Sequence, residues 1–329
     1  MNLPRVQAED YIDFLIATPK AASGVEAARV QPARDRQPAH DAFTRLLHRL
    51  EPDPDDLWSE ASSQVDKGDG VLVIDDSTLD KPYAKSIDLV SRHWSGKHHA
   101  VVKGISLVTL LWTDGDRHIP CDYRIYDKPE GLTKNDHFRA MICAAHGRGF
   151  RPRCVAFDGW YSSVDNLKLL RGYGWTWLTR LKCNRLVNKD RGGLRPLSRT
   201  EIAATGTEVW LSGYGLVKVF EIVAPDGDIA YWATSDLTMT DLTRQQFSEY
   251  SWAIENYHRG IKQCTEVERC QARSATAQRN HIGLALRAFL RLESYGFTHG
   301  VSWLEAKTAI IREAVRSYLA HPWIRLSTA

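Results

Sequence analysis

The spacing of hydrophobic positions changes twice along the chain. In residues 1–62 it is helical. Between Ala39 and Leu50, Phe43, Leu46, Leu47 and Leu50 recur at i, i+3, i+4 and i+7, leaving Arg45, His48 and Arg49 outward. Pro52 and Pro54 end this helix, because proline brings no amide N–H to a helix interior. An earlier helix is expected near Tyr11 to Ile16, and the Ala-, Arg- and Pro-rich stretch between the two reads as a loop.

From Gly70 the pattern becomes that of strands. Val71-Leu72-Val73-Ile74 is continuously apolar, as in a strand buried on both faces, and it runs out at Asp75-Asp76. Further strands are expected over Ala100 to Trp112 and His118 to Tyr126, joined by the hairpin turn Thr113-Asp114-Gly115-Asp116. A helix over Asn135 to His146 precedes a short buried strand, Cys154 to Phe157, which ends at Asp158. A helix over Val164 to Leu170 and a strand over Trp175 to Leu181 follow. Residues 184–236 form a small β insertion with strands at Glu208 to Leu211, Leu216 to Ile222 and Ile229 to Thr234. From Asp241 the pattern is helical to about Leu319. The order predicts an α/β fold, a mixed sheet flanked by helices, with an N-terminal helical region over 1–62 and a mixed-sheet domain over 63–329.

Composition adds bounds. The chain has 329 residues, 43% hydrophobic and 25% charged, enough to bury a sizeable core. Net charge is only +3, but it is unevenly spread. Residues 1–62 hold seven Lys/Arg against eleven Asp/Glu, and residues 256–329 hold eleven against five. A basic C-terminal quarter is a modest hint of phosphate binding, and a solvated helix surface explains it as well. The acidic balance of 1–62 leaves that segment open as a DNA-binding domain, a helical cap or a dimerisation arm. Six cysteines at 121, 143, 154, 183, 264 and 270 include no CxxC pair, so they read as reduced core residues, with neither a zinc site nor a disulfide framework. No signal-peptide pattern and no apolar run near the roughly 18 residues of a membrane span are present, so a cytoplasmic protein with no membrane partner is expected.

Four carboxylates at three places stand out. Asp75-Asp76 and Asp158 each follow a buried strand, and ligand sites in α/β sheets gather at the carboxyl ends of strands. Taken singly, each fits a turn former or helix cap equally well. In Trp-Ala-Ile-Glu-Asn-Tyr-His-Arg-Gly-Ile-Lys-Gln at 252–263, Glu255, His258, Arg259 and Lys262 fall on one helix face, with Ile254 and Ile261 opposite. A salt-bridged exposed face explains those charges but not the aromatics Trp252 and Tyr257 beside them.

The blocks Val-Ile-Asp-Asp-Ser-Thr (73–78), Ala-Phe-Asp-Gly-Trp-Tyr (156–161) and Trp-x-Ile-Glu-x-x-His-Arg-x-x-Lys (252–262) resemble the DDE transposases of bacterial insertion sequences, most of all the IS-four superfamily. The resemblance covers roughly residues 70–295. It implies a ribonuclease H-like core with a β-rich insertion between the second Asp and the Glu. It also implies cut-and-paste chemistry in which two Mg²⁺ or Mn²⁺ ions per active site are held by Asp76, Asp158 and Glu255. Asp76 is selected by the following Ser77-Thr78, with Asp75 in reserve. Of the superfamily's Tyr, Arg, Glu, Lys signature, Glu255 and Lys262 match, whereas Ser248 and Ser251 stand at the Tyr and Arg positions; Tyr250 or Arg259 are the available substitutes. The implied partners are double-stranded DNA, as terminal inverted repeats and target, and a second copy of the chain on paired ends. A bacterial, nucleoid-associated location goes with them. Lys262, Arg259, Trp252, His258, Arg273 and Arg279 are the expected DNA contacts. Arg269, Arg287, Arg291 and Lys97-His98-His99 are further candidates. A nuclease of the same fold that cuts without joining, and an inactive DNA-binding descendant, are the alternatives.

Overall fold

A computed structural model describes residues 4–19, 22–33, 37–95 and 100–324, so the Lys97-His98-His99 candidate lies outside the described residues. The chain divides into two compact units. One comprises Met1–Ala61, Thr78–Ile105 and Tyr257–Ala329, and is mainly helical; the other comprises Ser62–Ser77 and Ser106–Asn256, and is built on a sheet.

The helical unit starts with α1 (Ala8–Ala17), α2 (Gly24–Arg29), α3 (His40–Arg49) and α4 (Pro54–Ala61). As the spacing predicts, α3 buries Phe43, Leu46 and Leu47. Helix α2 arises inside the stretch read as a loop, where the Ser23 hydroxyl caps it by accepting from Glu26 N at 3.1 Å. Pro54 starts the next helix, because at the first turn its missing N–H costs nothing and its φ is already helical.

In the sheet unit, β1 (Val71–Asp80) buries Val71 through Ile74 completely. After β2 (Ser91–Ser95), β3 (Ala100–Thr113) and β4 (His118–Tyr126) form a hairpin, with Ser106 opposite Tyr126 and Thr113 opposite His118. The start of β3, in the helical unit, pairs with β2. Then come α5 (Lys134–Gly147), β5 (Cys154–Phe157), α6 (Val164–Gly172) and β6 (Trp177–Leu181). Strand β5 pairs parallel with both β1 and β6, since each crossover runs through a helix. The strands β7 (Leu186–Asn188), β8 (Arg195–Pro196), β9 (Thr207–Leu211), β10 (Gly215–Val223) and β11 (Ile229–Thr234) continue the same sheet, because β11 pairs antiparallel with β6. The order across this unit is β4, β3, β1, β5, β6, β11, β10, β9, β7, β8. The β insertion thus extends the mixed sheet.

Helix α7 (Asp241–Ser251) packs on β5 and β6 and gives way at Trp252 to α8 (Ala253–Cys264). The long helical run expected from Asp241 is broken here, over 265–274, and at 300–302, giving α9 (Ala275–His299) and α10 (Trp303–Ala320). Helix α9 is the axis of the helical unit, with α1, α3, α4 and α10 against it. Asn280 on α9 donates to the carbonyls of Leu47 and Leu50 at 2.8 and 2.7 Å, satisfying the open end of α3. Arg287 and Arg291 on α9 pair with Glu60 at 2.5 and 3.2 Å and with Glu9 at 3.3 and 2.6 Å. The acidic N-terminal and basic C-terminal charges therefore meet in part within one unit. All six cysteines are free; four are buried as expected, while Cys143 and Cys183 are exposed. No described helix is long and apolar enough to cross a membrane.

Candidate active site

The four carboxylates singled out in the sequence all belong to the sheet unit. Parallel pairing aligns Ile74 of β1 with Phe157 of β5. Carried one residue further, the register sets Asp75 opposite Asp158, with Asp76 one step beyond on the alternate face. The Asp75 carboxyl is pushed well above its ordinary range, first by burial, then by the negative charge of Asp76, with smaller contributions from Asp158 and Glu255; a backbone hydrogen bond at Asp76 opposes the rise. Groups far apart in sequence thus form one like-charged cluster.

Each member is held differently. Asp76 accepts from Lys134 Nζ at 2.6 Å on one oxygen and from Tyr161 OH at 2.8 Å on the other. Lys134 reaches it from the first turn of α5, whose start is set by the Thr133–Asp136 capping box. Tyr161 stacks on Phe138 of the same helix, 5.4 Å between ring centres. Its phenol is pushed far up by burial, and further by the Asp76 charge and hydrogen bond, so it stays a donor. Asn166 fixes the turn from behind, donating to Tyr161 O at 2.9 Å and to Asn135 Oδ1 at 2.7 Å. Asp158 opens a 3₁₀ turn over Gly159–Tyr161 and points one oxygen at Trp160 N, 3.5 Å away. Gly159 is needed there, since a Cβ would lie 2.8 Å from the carbonyl oxygen of Arg180. Glu255 stands exposed in the first turn of α8. Neither Lys134 nor Tyr161 is evident from the sequence as a partner of Asp76. The capping box marks where α5 begins, but no spacing rule carries it to β1.

Among the described residues, no three His, Cys, Asp or Glu side chains converge into a ready-made chelate. A two-ion magnesium site does not need one, because Mg²⁺ binds through one or two carboxylates and completes its shell with water and substrate phosphate. The donor set fits: hard oxygen ligands near enough that their charges add to burial in raising the Asp75 carboxyl, with Glu255 open to solvent.

The expected DNA contacts are dispersed. Trp252, in the sheet unit, is 61% exposed. Next to it, Ser251 donates its hydroxyl to Ser248 O at 2.6 Å, so the two serines at the signature's Tyr and Arg positions close the last turn of α7 on each other. Tyr250 lies against the turn glycine Gly115, which has φ +106°. The remaining candidates belong to the helical unit. Arg259 is exposed, and His258 is buried beside Tyr257. Lys262 donates to Thr78 O at 2.7 Å and pairs with Glu268 at 3.2 Å. Arg273 is exposed, Arg279 half-buried, and Arg269 faces Glu266 at 3.7 Å. Arg287 and Arg291, further phosphate candidates, are engaged by Glu60 and Glu9.

A family model described as DDE superfamily endonuclease matches residues 3–200. No match is found among curated protein sequences. The fold is similar to that of the piggyBac transposase in a cryo-EM synaptic complex with hairpin DNA, at TM-score 0.55 and 11% identity, over 97% of this chain and 73% of that one. The Drosophila P element transposase in a strand transfer complex aligns over 90% of this chain and 66% of that one, at 10% identity and TM-score 0.30, too low to carry an argument. The architecture is thus the mixed α/β, ribonuclease H-like fold of transposases.

Proposed function

Because the chain belongs to the DDE superfamily endonucleases, we propose that it is a bacterial insertion-sequence transposase of the IS-four superfamily, which cuts the ends of its element and joins them to target DNA. The observation that carries this reading is the like-charged cluster of Asp75, Asp76, Asp158 and Glu255. In it Asp76, Asp158 and Glu255 are the ligands and Asp75 the alternative first ligand. Two Mg²⁺ or Mn²⁺ ions bound there would activate the attacking oxygen and stabilise the leaving one. The chain's own residues prepare the site. Lys134 and Tyr161 hold Asp76 in one orientation, and Asn166 holds the Tyr161 turn. Trp252, His258, Arg259, Lys262, Arg273 and Arg279 are the DNA contacts in this reading. For Lys262 that means exchanging Glu268 for a phosphate, a swap suited to a compact, mobile ammonium. Residues 1–62 act as a DNA-binding or dimerisation region attached to the catalytic domain 63–329, the active species is a homodimer on paired ends, and it works in the cytoplasm at the nucleoid.

The test is a strand-transfer assay with DNA carrying the sequence that flanks the gene, in Mg²⁺. Joined product is expected. Cleavage without joining would identify a nuclease of this fold, and binding without cleavage an inactive descendant. Asp158→Asn keeps the side chain's size but removes its charge. It is expected to abolish cleavage and joining while end binding survives, because grip on DNA comes mainly from Lys and Arg. Substantial cleavage by Asp158→Asn in Mg²⁺ would overturn the assignment.

A further inference from the structure

Residues 180–199 hold seven Lys/Arg and a single acid, Asp190. They form the end of β6 and the β7–β8 ribbon, and they begin beside the Asp158 turn. Gly159 rests on the carbonyl of Arg180. Lys182 Nζ lies over the exposed ring of Trp160, 5.8 Å from its centre. Arg185, half-buried, donates to Ser162 O at 3.2 Å. Gly159, Trp160 and Ser162 therefore touch Arg180, Lys182 and Arg185 in turn, the first through its backbone carbonyl.

Beyond that rim the charge stays outward. Arg180, Lys182, Lys189, Arg191, Arg195 and Arg199 are all exposed. Lys189 has Glu201 at 3.4 Å, and Asp190 is held below the ordinary carboxylate range by the amide of Gly192, then by Arg195 and Lys189. Among the described residues, Arg180, Lys182, Arg191 and Arg199 have no carboxylate within ion-pair distance. In the basic C-terminal quarter Lys262, Arg269, Arg287 and Arg291 each have an acidic partner, while Arg259 and Arg273 are exposed. A run of outward cations that repel one another, on a short ribbon with little core of its own, is costly unless a polyanion covers it.

We propose that this basic track, from Arg180 and Lys182 at the rim of the Asp158 turn out along the β7–β8 ribbon, binds the phosphate backbone of the DNA whose bond is cut. The proposal rests on the endonuclease reading and gives the substrate a path. Lys182, steadied by Trp160, takes a phosphate next to the carboxylates. Arg191, Arg195 and Arg199 take phosphates farther along. The contacts are to backbone oxygens and carry no sequence preference.

The test is the salt dependence of binding to a DNA duplex, read by fluorescence anisotropy between about 50 and 200 mM salt, where each phosphate contact adds about 0.9 to the slope of log K against log salt. The variant Arg191→Ser/Arg195→Ser/Arg199→Ser is expected to lower that slope by about 2–3, and Lys182→Gln by about 1. A comparison variant, Arg151→Ser/Arg312→Ser/Arg316→Ser, removes the same charge from exposed positions elsewhere and is expected to leave the slope unchanged. Equal slopes for the ribbon variant and wild type would overturn the track, as would an equal fall in both triple variants, which would mark a net-charge effect. Circular dichroism melting checks that the ribbon variant is folded; if it is not, Lys182→Gln decides alone. Wild-type cleavage in Mg²⁺ with an unmoved ribbon slope removes only the track. No DNA binding by the wild type removes the track and the endonuclease reading together.

Discussion

At the scale of single residues, the first aspartate is the sharpest question. Asp76 precedes the Ser-Thr pair that selects it by motif, while the neighbouring Asp75 carboxyl is raised by burial and then by the charges of Asp76, Asp158 and Glu255. Asp75→Asn and Asp76→Asn separate them. The ligand's loss is expected to abolish Mn²⁺ binding by the DNA-free protein, and the other's to leave it within a fewfold. Lys134 is the second residue to test. Its ammonium neutralises Asp76 at 2.6 Å and so competes with any cation there. Lys134→Met is expected to tighten Mn²⁺ binding about fivefold, worth ~1 kcal/mol for a partly exposed pair, while Lys134→Arg stays near wild type. Unchanged Mn²⁺ affinity in Lys134→Met would show that the lysine only braces the apo site. The carboxylates themselves are legible in the sequence because each follows an apolar run or sits in an aromatic-flanked helix. Lys134 and Tyr161 are not, because their contact with Asp76 depends on how α5 lies against the sheet.

Among elements, the strands read most clearly. β1 and β5 are continuous apolar runs because both faces are covered, and β9 to β11 follow the expected ranges within a residue or two. The helices at the two ends read less well. Helix α2 depends on one serine cap, and α4 on a proline in its first turn. The break between α7 and α8 lies where Ser251 bonds back to Ser248, a local competitor to helical hydrogen bonding that hydrophobic spacing does not register. The α9–α3 joint is built on Asn280, which is 5% exposed and serves two carbonyls. Asn280→Ala leaves both carbonyls without their donor and is expected to cost about 1–3 kcal/mol in urea unfolding. A change below ~0.5 kcal/mol would mean that solvent replaces the amide.

For the molecule's stability against pH, one contribution comes from a buried histidine. His281 of α9 lies between Tyr11 OH, 3.0 Å from Nδ1, and Glu266 O, 3.1 Å from Nε2. Burial, then the nearby charge of Lys81, lowers its pKa to about 4 from an ordinary 6.5. Above 6.5 the imidazole is neutral both folded and unfolded and contributes no pH dependence. Between 6.5 and 4 the unfolded chain takes up a proton that the folded chain refuses. Stability therefore falls as pH falls, by up to about 3 kcal/mol at pH 4. Urea midpoints measured from pH 8 to pH 4 are expected to show this decline, and His281→Asn to flatten that part of it whatever its stability at pH 8. An equally steep decline in the variant would assign it to other groups.

Across the chain, neighbouring residues alone specify the strand and helix periods, the carboxylates at strand ends, the spacing along α8, and the family these motifs resemble. Such signals are local, because backbone geometry repeats every two or 3.6 residues. Tertiary structure alone decided which charges are spent. The basic surplus of residues 256–329 suggested phosphate, but Arg287 and Arg291 meet Glu9 and Glu60, more than two hundred positions away in the chain. A denser run of outward cations, most of them without an acidic partner, lies along residues 180–199, beside Asp158. Charge is additive in sequence but is screened or neutralised in space, within a few ångströms. Only the fold determines which carboxylate a given arginine meets, and which arginines are left facing solvent.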